Sequence, residues 1–188
     1  MFDKTYKTNI MVAKIAVSDL LKPAYYKAKE VRTACSSCPY HGKSWSCPPS
    51  SPVASDLLLG KESGFLVAVQ VLYEPYLVEA SRKLSVEQRD ILREATYGKV
   101  KQILNSTCRE LEAEFDGGVS VSAGVCKNCD ICAKLDGLPC RFPQRMRYSF
   151  SGLGIDIVKL VGDTFGLDIL WSKNSFPDYE VLVSGIFY

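Results

Sequence analysis

Cys126, Cys129 and Cys132 stand at strict three-residue spacing, and Cys140 follows eight residues later in the same short stretch. In iron–sulfur proteins a C-x₂-C-x₂-C run wraps one backbone turn around a cubane, so that each thiolate meets a different iron. Amide N–H groups of such a turn can point at the sulfides and favour the anionic cluster. A structural zinc site uses two separated C-x₂-C pairs, because one tetrahedral ion takes two thiols from each knuckle. The triple spacing therefore points to a [4Fe–4S] cluster on Cys126, Cys129, Cys132 and Cys140, with zinc as the alternative metal.

A second group lies far upstream. Cys35 and Cys38 form a knuckle, and Cys47 follows immediately before Pro48-Pro49. A Cys-Pro closing a cluster loop is a recurring ferredoxin feature, since proline turns the chain away from the metal. Seven thiols do not divide into two four-thiol sites. In one partition the downstream four hold a cluster and Cys35, Cys38 and Cys47 are left as a three-thiol site. In the other, Cys47 completes the Cys126 triad and Cys140 joins Cys35 and Cys38, as two-cluster ferredoxins cross their loops. Three ligands on a cubane leave one iron open to substrate or solvent. His41, the only histidine, continues the spacing of Cys35 and Cys38 and can supply a fourth ligand. Cys108 is the other candidate, although it sits on a helical apolar stripe and reads first as a small core residue.

The elements that must position these loops are legible in outline. Ile10 to Val17 is apolar without a decisive period, and Pro23 keeps a helix from crossing residues 20–25. The first cysteine loop, 35–49, is rich in Pro, Gly and Ser, and a short helix follows from Pro52 to Leu59, ended by Gly60. Phe65 to Tyr73 reads as a buried strand. Ser85-Val86-Glu87-Gln88 is a capping box opening the longest helix, with stripe Val100, Ile103, Leu104, Thr107, Leu111 and Phe115 and a bend or split at Gly98. Val119 to Ala123 alternates as a half-buried strand and leads into the second cysteine loop, 126–143. Asp156 caps a helix ended by Gly166; Leu167 to Trp171 and Glu180 to Phe187 read as two strands. The expected fold is a single α+β domain over 1–188, a small, mainly antiparallel sheet with helices on one face and both cysteine-rich loops at one end or edge.

Composition excludes several classes. A net charge of +2 announces neither a nucleic-acid polyanion nor a membrane surface as partner. No apolar run reaches spanning length, and Met1-Phe2-Asp3-Lys4 opens no secretory leader. The expected compartment is the cytoplasm, where eight cysteines serve as ligands rather than disulfides. Around the second loop Lys127, Lys134, Arg141, Arg145 and Arg147 outnumber Asp130 and Asp136. Such cations favour a reduced cluster and can dock an acidic redox partner. Tyr40 and Trp45 are placed to cover a metal rather than to stack a base.

Cys35-x₂-Cys38-Pro39, Gly42, Trp45 and Cys47-Pro48-Pro49, then Cys126-x₂-Cys129-x₂-Cys132-x₇-Cys140-Arg141, Pro143, Ser149 and Gly154-Ile155-Asp156, carry a resemblance. Over roughly residues 30–170 the chain resembles the cysteine-rich "predicted metal-binding" proteins common in anaerobic microbes. The resemblance implies metal at the seven cysteines and fixes no reaction. The chain departs from the pattern at His41, where tyrosine is usual, and at Phe150-Ser151-Gly152, where a Met-Glu-Ala run is usual.

Three readings follow. The first is an iron–sulfur protein in electron transfer or cluster-dependent redox chemistry, facing a redox partner protein or a small-molecule substrate. The second is an enzyme whose open iron, at Cys35, Cys38 and Cys47, takes a small substrate. The third is a zinc-stapled interaction module without catalysis. No Ser–His–Asp set, P-loop or G-x-G-x-x-G offers a competing chemistry.

Overall fold

The computed structural model describes residues 5–172 and 174–188. Met1–Lys4, on which the leader reading rests, and Lys173 lie outside them. In chain order the elements are β1 (Tyr6–Ala16), α1 (Val17–Leu20), α2 (Ala28–Ala34), α3 (Ala54–Leu57), β2 (Ser63–Tyr73), α4 (Pro75–Ser81), α5 (Val86–Arg93), α6 (Lys99–Glu112), β3 (Val119–Val121), α7 (Ile157–Phe165) and β4 (Tyr179–Phe187). The strands form one antiparallel sheet in the order β1-β2-β4-β3, and the fold is α+β.

Helices cover both faces of this sheet, which corrects the expected one-sided packing. Leu66 and Ala68 of β2 and Val181, Val183 and Phe187 of β4 join a core with Val17, Leu20, Leu160 and Val161 of α1 and α7. The alternate residues Val69, Val71, Leu182 and Ile186 join a second core with Leu77, Val100, Leu104 and Cys108 of α4 and α6. Successive strand side chains point to opposite faces. Two central strands that are apolar at nearly every position therefore demand cover on each side.

The capping box at Ser85 forms as expected: its hydroxyl accepts from the Gln88 N–H, and the Gln88 side chain accepts from the Ser85 N–H. One turn of π-helix, Glu94–Gly98, joins α5 to α6 where Gly98 was expected to bend the helix. The buried face of α6 is Val100, Leu104 and Cys108, while Ile103 and Leu111 of the expected stripe are 57% and 45% exposed. Ile103 lies a further 100° round from Leu104 and falls on the flank. Residues 167–171 are irregular rather than a strand. The β3 strand is correct in place, but Ser120 to Ala123 are buried throughout rather than alternating.

The sheet has a notch. The outer side of β4 pairs with β3 only at Gly185 to Phe187, because β3 stops at Val121. Beyond that point the chain turns away, and no strand among the described residues covers the outer edge of residues 180–183.

The segment 148–156 links the two halves of the molecule. Ser122 donates its backbone N–H to Tyr148 O, Ala54 to Leu153 O, Lys27 to Gly154 O, and Asp156 to Tyr25 O. Gly154 makes this possible: its φ is +88°, and a Cβ there would stand 2.6 Å from Ala28 Cα. Asp156 caps α7 by accepting from the Lys159 N–H and is ion-paired with Lys27 at 3.0 Å.

Candidate metal centre

The second cysteine loop leaves β3 through Gly124 and contains a 3₁₀ turn, Ala133–Asp136, with Cys132 at its cap. Cys126, Cys129, Cys132 and Cys140 are all free thiols and all half-buried. Burial pushes the Cys126 thiol up, opposed by the Asn128 N–H, and the charges of Cys140, Cys129 and Cys132 push it up further. Cys132 behaves differently. Burial raises it, but the N–H groups of Lys134 and Trp45, the Ser44 hydroxyl and the Lys134 ammonium outweigh burial and hold it below the ordinary thiol value. Donors directed at a sulfur favour the thiolate, the form that binds metal.

The first loop begins where α2 ends: Cys35 caps the helix and opens a 3₁₀ turn. Cys38 is exposed, while Cys35 and Cys47 are half-buried. Burial raises both half-buried thiols; Cys38 adds to the rise at Cys35, and Cys38 and Cys35 add to it at Cys47. The Pro48-Pro49 bond is cis, and Gly42 donates its N–H to Pro48 O, closing the loop.

The loops lie against each other. Cys126 donates its N–H to Ser46 Oγ at 3.2 Å, and the Trp45 indole donates to Leu138 O at 3.0 Å. Lys134 bonds the Ser50 hydroxyl and sits 5.2 Å from the centre of the Trp45 ring. Trp45 therefore clamps one loop to the other, and Ser44 to Ser46 stand between the two thiol sets. The thiols that shift one another lie within one loop: Cys129, Cys132 and Cys140 act on Cys126, and Cys35 and Cys38 act on Cys47.

The three-thiol loop faces a cavity of about 360 Å³. Cys35, Cys38, His41 and Cys47 form part of its wall, and the notch in the sheet, residues 180–183, forms another. Cys108 is elsewhere, 2% exposed in the α6 core. Among the described residues no three His, Cys, Asp or Glu side chains converge on a single-ion site. The donor set itself is soft: seven unbridged thiols in two loops, a composition suited to zinc, Cu(I) or iron–sulfur clusters.

The cavity wall also holds residues that spacing did not reveal. Arg93 donates from Nε to Glu180 Oε1 at 2.7 Å and from Nη2 at 2.6 Å, while the Tyr73 hydroxyl donates to Glu180 Oε2 at 2.6 Å. Arg93 lies 4.2 Å from the centre of the Tyr97 ring. Burial pushes the Tyr97 hydroxyl up to about 12 and, with Glu180, drives Tyr73 far above its ordinary value. The signal available in the sequence was Glu180, one charge inside an otherwise apolar strand.

The basic rim of the second loop is partly compensated. Arg147 pairs with Glu112 at 2.6 Å, and Arg141 approaches Asp136 at 3.9 Å. Lys127 instead lies 5.5 Å from the Tyr40 ring centre, and Arg145 5.8 Å from that of Phe142. Ile131, Leu135 and Leu138 are exposed among these cations.

No curated protein and no solved structure matches the chain. A family model described as "Predicted metal-binding protein (DUF2284)" matches residues 23–183, which takes in both cysteine loops.

Proposed function

The chain belongs to the predicted metal-binding protein family DUF2284, and from that premise we propose that it is an iron–sulfur protein of cluster-dependent redox chemistry. Cys126, Cys129, Cys132 and Cys140 would hold a [4Fe–4S] cluster, and Cys35, Cys38 and Cys47, with His41 beside them, a second site with one position open. The observation that carries the reading is the grouping of free thiols into a set of four and a set of three, each coupled within itself.

The triple spacing of Cys126, Cys129 and Cys132 supports a cluster over zinc, which takes two thiols from each of two separated knuckles. The N–H groups of Lys134 and Trp45 reach the Cys132 sulfur, and hydrogen bonds to cluster sulfurs tune the potential.

When bound, a [4Fe–4S] cluster supplies one-electron transfer and, with an open iron, a Lewis-acid position. The chain's own residues do the rest. Ser44 to Ser46 hold the loops together, Trp45 covers the junction, and the exposed Ile131, Leu135 and Leu138 amid Lys127 and Arg145 form a face suited to an acidic redox partner. Unbridged cysteines belong to a reducing compartment, and we place the protein in the cytoplasm. No helix among the described residues is long and apolar enough to cross a membrane.

The deciding experiment is iron and acid-labile sulfide analysis of anaerobically purified protein, with EPR after reduction. Two clusters give about eight irons per chain and one gives about four. Colourless protein with stoichiometric zinc, and no iron after anaerobic reconstitution, overturns the reading.

A further inference from the structure

We infer that the chain forms a twofold dimer in which the free edge of β1 pairs antiparallel with β1 of a second copy. The inference goes beyond the metal reading and does not depend on it.

β1 lies at one end of the sheet, and no strand among the described residues covers its outer side. The bonds at its two ends fix which backbone groups face that side. Glu74 donates its N–H to Thr5 O, and Val17 donates its N–H to Glu62 O. Antiparallel pairs alternate between bonded and non-bonded positions. Odd-numbered residues of β1 therefore bond β2, and Tyr6, Thr8, Ile10, Val12 and Lys14 turn their N–H and C=O outward. No hydrogen bond from another described residue reaches these groups.

Proteins ordinarily blunt such an edge with a short strand, a bulge, a proline or a charge in mid-strand. β1 has none of these. It is 11 residues long, its register with β2 is unbroken, and residues 8–13 carry no charge. Lys7 and Lys14 stand near the ends, and Lys7 is already paired with Glu74 at 3.0 Å. Met11 and Ile15 pack into the core shared with α1 and α7. Ile10 and Val12, on the other face, are 64% and 61% exposed.

The strand is complementary to itself. Antiparallel pairing centred on Met11 is the one register that matches the whole of Tyr6–Ala16 to its copy. It sets Ile10 opposite Val12, Thr8 opposite Lys14 and Tyr6 opposite Ala16, so the bonded pairs fall where the free groups are. No lysine meets a lysine. Ile10 and Val12 of the two copies form one cluster of directly opposed β-branched pairs, the kind of contact that stabilises a sheet. A slip by one residue opposes free groups to groups already bonded to β2. A slip by two shortens the ladder and parts Ile10 from Val12.

A twofold contact of this kind closes at two copies. The other end of the sheet offers no equal edge: β3 has three residues, and Ser120 directs its N–H to Glu112 on the outer side. In the dimer the strand order runs β3-β4-β2-β1 and back again through the second copy. The two β3 strands, each leading to a Cys126–Cys140 loop, then stand about 33 Å apart, at about 4.8 Å per strand interval. Each metal centre is thus complete within one chain and stands at an outer end, free for its own partner.

Sedimentation equilibrium on the full chain, purified anaerobically, tests the dimer. We expect a concentration-dependent mass that reaches twice the 20.8 kDa of the chain. Ile10→Lys/Val12→Lys sets cation against cation across the seam and should leave a monomer. Both positions are exposed in the single chain, so this variant should keep the wild-type circular dichroism and iron content. Ile10→Lys/Val12→Glu sets opposite charges against each other in the Met11-centred register, and like charges in the registers slipped by two. It should restore the doubled mass. A wild-type monomer at every concentration, Ile10→Lys/Val12→Lys still dimeric, or Ile10→Lys/Val12→Glu still monomeric overturns the proposal. Iron analysis keeps the two readings apart: a chain without iron that still reaches the doubled mass upholds the dimer and counts against the cluster alone.

Discussion

Cys126 and Ser46, eighty residues apart, are joined by a hydrogen bond from the cysteine amide to the serine hydroxyl at 3.2 Å. The same hydroxyl lies 3.0 Å from Ser44 Oγ and 3.9 Å from Cys47 Sγ. Ser46 is 1% exposed and touches both thiol sets at once. Ser46→Ala leaves the Cys126 N–H short of its partner and should destabilise the protein by about 1–2 kcal/mol. Anaerobic thermal denaturation checks the stability, and faster iron loss to a chelator checks the coupling of the loops.

The two classes of cysteine should respond differently to removal. The second loop has little core of its own, so the free energy of metal binding there is folding free energy. Cys126→Ala, Cys129→Ala or Cys132→Ala should each cost more stability than Cys108→Ala, a buried truncation worth about 1 kcal/mol. Denaturant melts of the four variants, run with and without chelator, give the comparison. Equal losses would make Cys108 a ligand.

Replacing Cys35, Cys38 and Cys47 together by alanine should remove about half of the iron and leave the cluster of the second loop intact. The measurement is iron per chain together with EPR of the reduced variant. Unchanged iron and an unchanged spectrum would reduce the protein to a single-cluster carrier.

Glu112 gives a pH dependence with a definite sign. Burial raises its carboxyl, but the Arg147 and Ser120 bonds outweigh burial and hold it below the ordinary carboxylate value. A depressed folded-state value contributes stability that is complete above the unfolded value, about 4.3, and fades as pH falls through the folded one. Glu112→Gln should therefore cost about 1–2 kcal/mol at neutral pH. Urea melts from pH 7 to pH 3 should show the gap between variant and wild type closing on the acid side.

What the sequence made legible was local. The capping box at Ser85, the Asp156 cap, the buried run from Phe65 to Tyr73 and the core place of Cys108 each rest on neighbours within a turn or a strand. What it hid was set by partners distant in the chain. Leu167 to Trp171 has strand-like residues, yet no strand among the described residues pairs with it, and Ile169 to Trp171 lie along the cavity instead. The two-sided cover of the sheet could have been read from β2, whose apolar residues run on without the alternation of a half-buried strand. Arg93 looks like an ordinary helix-surface cation until β4 brings Glu180 against it. The cysteine spacing marked both loops as candidates, but their packing against each other rests on Ser46 and the clamp of Trp45, neither of which has a spacing to read.

The strand order β1-β2-β4-β3 also sets a timetable. During synthesis all eight cysteines leave the ribosome before β4 does, yet among the described residues β3 pairs with β4 alone. Until residues 179–187 arrive, the platform beneath the second loop is unfinished, and its thiols wait in an open chain. Metal capture would thus come late in assembly, and a chain denied its metal would keep a complete sheet with bare loops.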